Sequence, residues 1–254
     1  MKIFYRISPS KAGYKKDKPD YINNKNCLDN FLKIFVNDNE DVKTTLISDI
    51  KDFDINEYTD KEIEKYQTLL LNSELFYRVV LENVYFGNGA ESFNYALDLA
   101  LKIEDDEEIV YFVENDYLHR PNSYKWILDG LNNMNFDIVS LYNHPDKFLP
   151  PSKGGNPNVD TNGGYMTKIY QGELGHWMLT DSTTMTFACK VKTLKQYENV
   201  FRKHTTGTYP RDYDMFKELT INNQLTLATP IEPVATHGES KWLTKFYDWS
   251  NVEY

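Results

Sequence analysis

Residues 107–121 read EEIVYFVENDYLHRP, a run of strand-forming residues that breaks off at Glu114, Asn115 and Asp116. Carboxylates at the end of a strand have an evident chemical use. Hard divalent cations such as Mg2+ and Mn2+ prefer oxygen ligands and bridge to phosphates. They also have a plain structural use, in which Asp116 ends the strand and opens a turn before Pro121. Residue type alone leaves both readings open. A second acidic stretch, PRDYDMFKEL, carries Asp212 and Asp214 ahead of Met215, Phe216 and Leu219. Apolar residues at that spacing predict a helix, and Asp is favoured at a helix N-cap.

The elements that must position these residues alternate in type. KIFYRIS at 2–8 reads as a strand, and Leu28, Phe31, Leu32 and Phe35 then mark one face of a helix. VKTTLIS at 42–48 is a second strand, Ile63, Tyr66 and Leu70 a helix, and YRVVLENVYF at 77–86 holds a third strand. Phe93, Ala96, Leu97, Ala100 and Leu101 share a helix face after Gly87-Asn88-Gly89. EIVYFVE is the fourth strand. Tyr124, Ile127, Leu128 and Leu131 make another helix, and FDIVSLY at 136–142 the fifth strand. Strands alternating with helices predict a mainly parallel sheet covered on both faces, and the near-continuous apolar strand at 109–113 is what such burial requires.

The pattern changes after that. LPPSKGGNPNVDTNGG at 149–164 has no period and reads as a loop. Short antiparallel or mixed strands follow in YMTKIYQGELGHWML and STTMTFACKV, then helices around Leu194, Tyr197 and Phe201 and from Asp212 onward. The tail ATHGESKWLTKFYDW is aromatic and irregular. The expected fold class is α/β, one Rossmann-like domain over 1–254 with a mixed C-terminal half.

Bulk properties narrow the function. A net charge of -10 over 254 residues argues against a nucleic-acid partner, which needs a basic footprint. The cationic stretch KAGYKKDKP at 11–19 is a solvated loop or a local anion contact. Two isolated cysteines, Cys27 and Cys189, fit no metal pattern and point to a reducing compartment. No apolar run reaches the length of a membrane span and no signal layout opens the chain, so the expectation is a cytoplasmic protein with no transmembrane segment.

With these elements in order, the chain resembles the GT-A glycosyltransferases of the family 2 type, enzymes that use nucleotide sugars. VENDYLHRP is similar to their Asp-x-Asp-type motif in variant form, GNGAESFNYALDLAL to the loop and helix before the motif strand, and PRDYDMFKEL to the later acidic helix start. The resemblance implies transfer of a sugar from a UDP- or GDP-linked donor to a glycan or other hydroxyl acceptor, metal-dependent and inverting. It implies a nucleotide-sugar half at 1–145 and an acceptor half at 146–254. Asp116 would hold Mn2+ or Mg2+ with His237 of VATHGE, and Glu114 would contact the ribose, or the metal through water. Asn115 stands where some members have Asp.

Asp212, preferred to Asp214, would be the general base. Arg6, Ser8, Asp49 and Asn94 would contribute to the donor site, and the loop SPSKAGYKKDKP would reach the diphosphate. His176 and Trp177, beside a hydroxyl-rich strand, suit an acceptor sugar; a lone Trp among apolar neighbours equally suits a core. His237 has a bland alternative too, a loop histidine bonded to a backbone carbonyl.

Other readings stay open. A sugar-1-phosphate nucleotidylyltransferase needs a glycine-rich loop after the first strand, and residues 8–19 hold one glycine, Gly13. A hydrolase could pair Asp116 with Asp212. A non-catalytic carbohydrate- or nucleotide-binding protein of the same fold has no need of Asp212.

Overall fold

The computed structural model describes residues 1–7, 17–37, 39–49, 78–245 and 247–252. The expected helix through Ile63, Tyr66 and Leu70, the loop at 8–16 and the donor candidate Ser8 lie outside the described residues.

Eleven strands are described. They are β1 (Lys2–Ile7), β2 (Lys43–Asp49), β3 (Val79–Val84), β4 (Ile109–Glu114), β5 (Tyr117–His119), β6 (Ile138–Val139), β7 (Ile169–Gln171), β8 (His176–Thr180), β9 (Phe187–Lys190), β10 (Leu227–Pro230) and β11 (Ala235–His237). Nine of them form one sheet in the order β3-β2-β1-β4-β9-β6-β10-β8-β7, and β5 and β11 form a separate two-stranded sheet. In the large sheet only β9 and β8 run against the rest. The sheet is therefore mainly parallel in direction. It is also continuous across the chain, because β9 from the C-terminal part sits between β4 and β6.

Alternation along the central strands explains their apolar sequences. On β4, Ile109, Tyr111 and Val113 enter one core and Val110 and Phe112 the other; on β1, Ile3, Tyr5 and Ile7 oppose Phe4. The first core is closed by α1 (Asn24–Phe31), continued as a π-helical turn Leu32–Asn37, and by α3 (Ser123–Leu128). The second is closed by α2 (Gly89–Leu101), α4 (Val191–Gln196), α5 (Glu198–Lys203) and α6 (Asp212–Lys217). The Asn23 side chain caps α1 through the Asn26 N–H at 2.9 Å, and Asn88 caps α2 through that of Glu91 at 2.8 Å.

Three strands escape the sequence pattern. β5 falls in what reads as a turn before Pro121, β10 was not expected, and β11 lies in the irregular tail. Each is three or four residues long, too short to show a period. The expected fifth strand shrinks to Ile138–Val139. The segment 149–164 holds a 3-10 turn, Pro151–Lys153, and a turn in which Asp160 accepts the N–H groups of Asn162 and Gly164. No helix among the described residues is long and apolar enough to cross a membrane.

Candidate active site

The small sheet makes the site. Its strands pair antiparallel with His237 opposite Tyr117, which brings the end of β11 beside Asp116. His237 Nε2 lies 3.2 Å from Asp116 Oδ2. Two features hold this arrangement. The buried Asn30 of α1 clamps β5, donating to the His119 carbonyl at 3.0 Å and accepting its N–H at 2.8 Å. Gly238, next after the histidine, permits close approach: a Cβ there would lie 2.9 Å from the Asp116 carbonyl oxygen and 2.6 Å from Ile22. The rings of Tyr117 and Tyr142 flank His237, with centroids at 5.1 and 6.1 Å.

A cation is already present. Lys18, from the edge of the basic loop, places its Nζ 3.0 Å from the same Asp116 oxygen. Beneath the site, Arg6 at the end of β1 sits opposite Glu114 in the β1–β4 register, with Nη2 3.2 Å from Glu114 Oε1. Arg6 Nη1 donates to the Gly89 carbonyl at 3.3 Å, and the guanidinium lies over the Phe93 ring. Burial works against the Arg6 charge and lowers its pKa, while Glu114 and Asp116 support the charge.

Asp212 is the first residue of α6 and accepts the Tyr213 N–H at 2.8 Å. It lines a cleft of about 100 Å³ together with Tyr213, His144, Asp146, Lys147 and Thr184. Burial pushes its carboxyl up to about 6; Glu114 adds to the rise, while the Tyr213 N–H and His237 oppose it. Glu114 and His237 are thus near enough to act on the charge of Asp212. Asp214 is exposed instead.

The remaining sequence candidates are less open to ligand. Asp49 is buried and accepts the N–H groups of Phe86 at 3.1 Å and Gly87 at 2.7 Å, which ties the ends of β2 and β3 together. Asn94 is bound to Thr205, donating to its carbonyl and accepting its hydroxyl. Asn115 is buried with its Nδ2 unpartnered, and its N–H donates to the Arg6 carbonyl. Trp177, expected on the acceptor side, is instead a core residue. It is fully buried, donates from Nε1 to Asp129 Oδ2 at 2.9 Å and packs on Trp126 and Phe136. Sequence could not separate the two fates, because a Trp in an apolar strand has the same neighbours in either. His176 is exposed on the rim that carries Asp116, but four strands along the sheet from β4, roughly 19 Å at the usual spacing. Sequence reading passed over His144, Asp146 and Lys147; HPDKF carries charge but no motif.

As a metal site the residues fit in part. Asp116 and His237 converge as an oxygen and a nitrogen ligand, while Glu114 is drawn to Arg6. Among the described residues no group of three or more His, Cys, Asp or Glu could hold a metal ion. The pair suits a cation whose remaining ligands come from a diphosphate and water.

No protein-family model and no curated protein sequence matches the chain. Solved structures do match in fold. The S. aureus TarS 1–349 structure in complex with UDP-GlcNAc superposes over 92% of this chain with a TM-score of 0.52 at 11% identity. GalNAc-T7 with UDP, GalNAc and Mn2+ superposes over 90% with a TM-score of 0.54 at 9% identity. Both are GT-A glycosyltransferases, and the chain has the GT-A fold. It spans 57% and 41% of the lengths of those two chains.

Proposed function

We propose that the protein transfers a sugar from a nucleotide-diphosphate donor to an acceptor hydroxyl, with inversion. The observation that supports this is the contact of His237 with Asp116 just past the carboxyl end of β4, the end at which open α/β sheets bind ligands, with Asp212 near enough for His237 and Glu114 to act on its charge. Asp116 and His237 would hold a divalent cation, Mn2+ or Mg2+, which when bound neutralises charge on the leaving diphosphate. Lys18 adds a second positive charge at the same place. Asp212 accepts the proton of the acceptor hydroxyl as its oxygen bonds to the anomeric carbon. The bond from that carbon to the diphosphate oxygen breaks, its electron pair leaving with the diphosphate, and a single displacement inverts the centre. A carboxylate with a pKa near 6 is ionised at neutral pH and a stronger base than an exposed aspartate.

The TarS and GalNAc-T7 structures hold UDP-GlcNAc and UDP, so a UDP-linked donor is favoured over a GDP-linked one. The acceptor would approach from the side built by residues 146–254, with residues 1–145 forming most of the donor side. Buried free thiols at Cys27 and Cys189 fit a cytoplasmic setting.

Calorimetric titration with UDP, GDP and their sugar conjugates, with and without Mn2+, tests the reading. Binding that needs Mn2+ and is lost in Asp116→Ala is expected, as is Asp212→Asn that binds donor but turns over none. Indifference to every nucleotide would overturn the assignment in favour of a non-catalytic protein.

A further inference from the structure

We propose that Asp146 and Lys147 form the pocket for the donor's sugar ring and grip two adjacent hydroxyl groups on it. The proposal rests on the transferase reading above and extends it to residues that neither motif contains.

Lys147 stands in the 3-10 turn Pro145–Phe148 and lines the cleft that holds Asp212, yet is only 1% exposed. No described residue makes a hydrogen bond or ion pair with its ammonium. Buried ammonium groups are ordinarily paired, because a lone charge loses its hydration. Beside it, Asp146 Oδ1 is buried without a hydrogen-bond partner. The nearest candidate, His144 Nδ1 at 2.9 Å, already accepts the Asp146 N–H at 3.1 Å. The Asp146 side chain is 23% exposed and its carboxylate lines the cleft beside Lys147. One cleft therefore presents an ammonium that no described residue bonds, next to a carboxylate.

The ligand that satisfies both is neutral and polyhydroxylated. An anion would answer Lys147 but meet the carboxylates of Asp146, Asp181 and Asp212. Asp181 itself is engaged, accepting from the Tyr165 hydroxyl at 2.9 Å and from the Asn158 amide. An apolar group would cover the ammonium and the carboxylate without bonding either, at a further penalty. A hydroxyl both donates and accepts, and a vicinal pair lets one oxygen accept from Lys147 while its neighbour donates to Asp146.

Position selects the donor ring over the acceptor. The ring is joined to the diphosphate through one oxygen, so it must lie next to Asp116 and His237. Tyr142 bridges the two places, its ring centroid 6.1 Å from that of His237 and 5.2 Å from that of His144. The same cleft ends on Asp212, where the anomeric carbon has to meet the attacking oxygen.

The test compares affinities in the presence of Mn2+ by calorimetry. UDP, GDP and their glucose, galactose, mannose and N-acetylglucosamine conjugates are titrated into wild type, Lys147→Met and Asp146→Ala. Wild type should bind at least one sugar conjugate more tightly than its parent diphosphate, and Lys147→Met should lose roughly ten-fold of that preference. Its affinity for the bare diphosphate should stay within about two-fold. Asp146→Ala should act in the same direction, and Lys147→Gln, which keeps a donor, should recover part of the loss if Lys147→Met folds poorly. A preference that survives in Lys147→Met, or a wild type that binds the diphosphate but no conjugate more tightly, overturns this pocket and leaves the transferase reading standing. A wild type that binds no nucleotide overturns both.

Discussion

Replacing Asp212 by Asn should inactivate the protein and make it more stable, with a gain that depends on pH. The carboxyl is raised from the 3.8 of an exposed aspartate to about 6, chiefly by burial. Folding therefore disfavours the ionised form. The penalty is absent below pH 3.8, grows as pH rises, and is complete above about 6. A shift of that size corresponds to an upper bound of about 3 kcal/mol, and partial exposure of the side chain reduces it to roughly 2. Asparagine keeps the oxygen that accepts the Tyr213 N–H, so the start of α6 is undisturbed. The gain at pH 7.5 should be about 2 kcal/mol and about half that at pH 5. In a chain of this size that is a rise in Tm of roughly 4–8 °C at the higher pH. Urea denaturation of both proteins at the two pH values measures it. In wild type the same titration should govern turnover, with donor consumption at pH 5 falling to about a tenth of its plateau. A stability gain equal at both pH values, or turnover flat down to pH 5, would refute a buried titrating base at this position.

Other substitutions probe the rest of the site. Lys18→Met removes a cation competing for Asp116, so Mn2+ alone should bind roughly three- to ten-fold more tightly, while UDP binds more weakly. Electron paramagnetic resonance of free Mn2+ reads the first effect, and weaker Mn2+ binding contradicts it. Gly238→Ala would force apart the Asp116 backbone and β11. It should lower stability by about 1–3 kcal/mol and reduce Mn2+ affinity with it; a melt and Mn2+ titration matching wild type would show that the close approach is dispensable. Trp177→Phe removes the donor to Asp129 Oδ2, while Oδ1 keeps those of Asn133 and Glu173, and should destabilise by about 1–3 kcal/mol in chemical denaturation, leaving donor affinity unchanged. A selective loss of ligand binding there would return Trp177 to the site.

Long periodic elements were legible because each carries its own evidence. The apolar run on β4 with polar residues at its end predicts a central strand opening onto a crevice. The faces of α1 and α2 follow from helical spacing. Asp116 and Asp212 were legible as carboxylates at element ends, where turns and caps need them as much as chemistry does. Asp49 was legible in the same way, yet it bonds to the N–H groups of Phe86 and Gly87. Nothing in its own neighbourhood in sequence could say so, since those partners lie on a later strand.

By itself the sequence determined the α/β alternation, the strand that ends on Glu114-Asn115-Asp116 and the helix that begins at Asp212. Tertiary structure decided what stands beside these residues. His237 is 121 positions from Asp116 and reaches it because two three-residue strands pair. Lys18 reaches the same oxygen across 98 positions. Contacts between residues so distant depend on register and on close approach at Gly238, whereas local patterning reports only which face of an element is apolar.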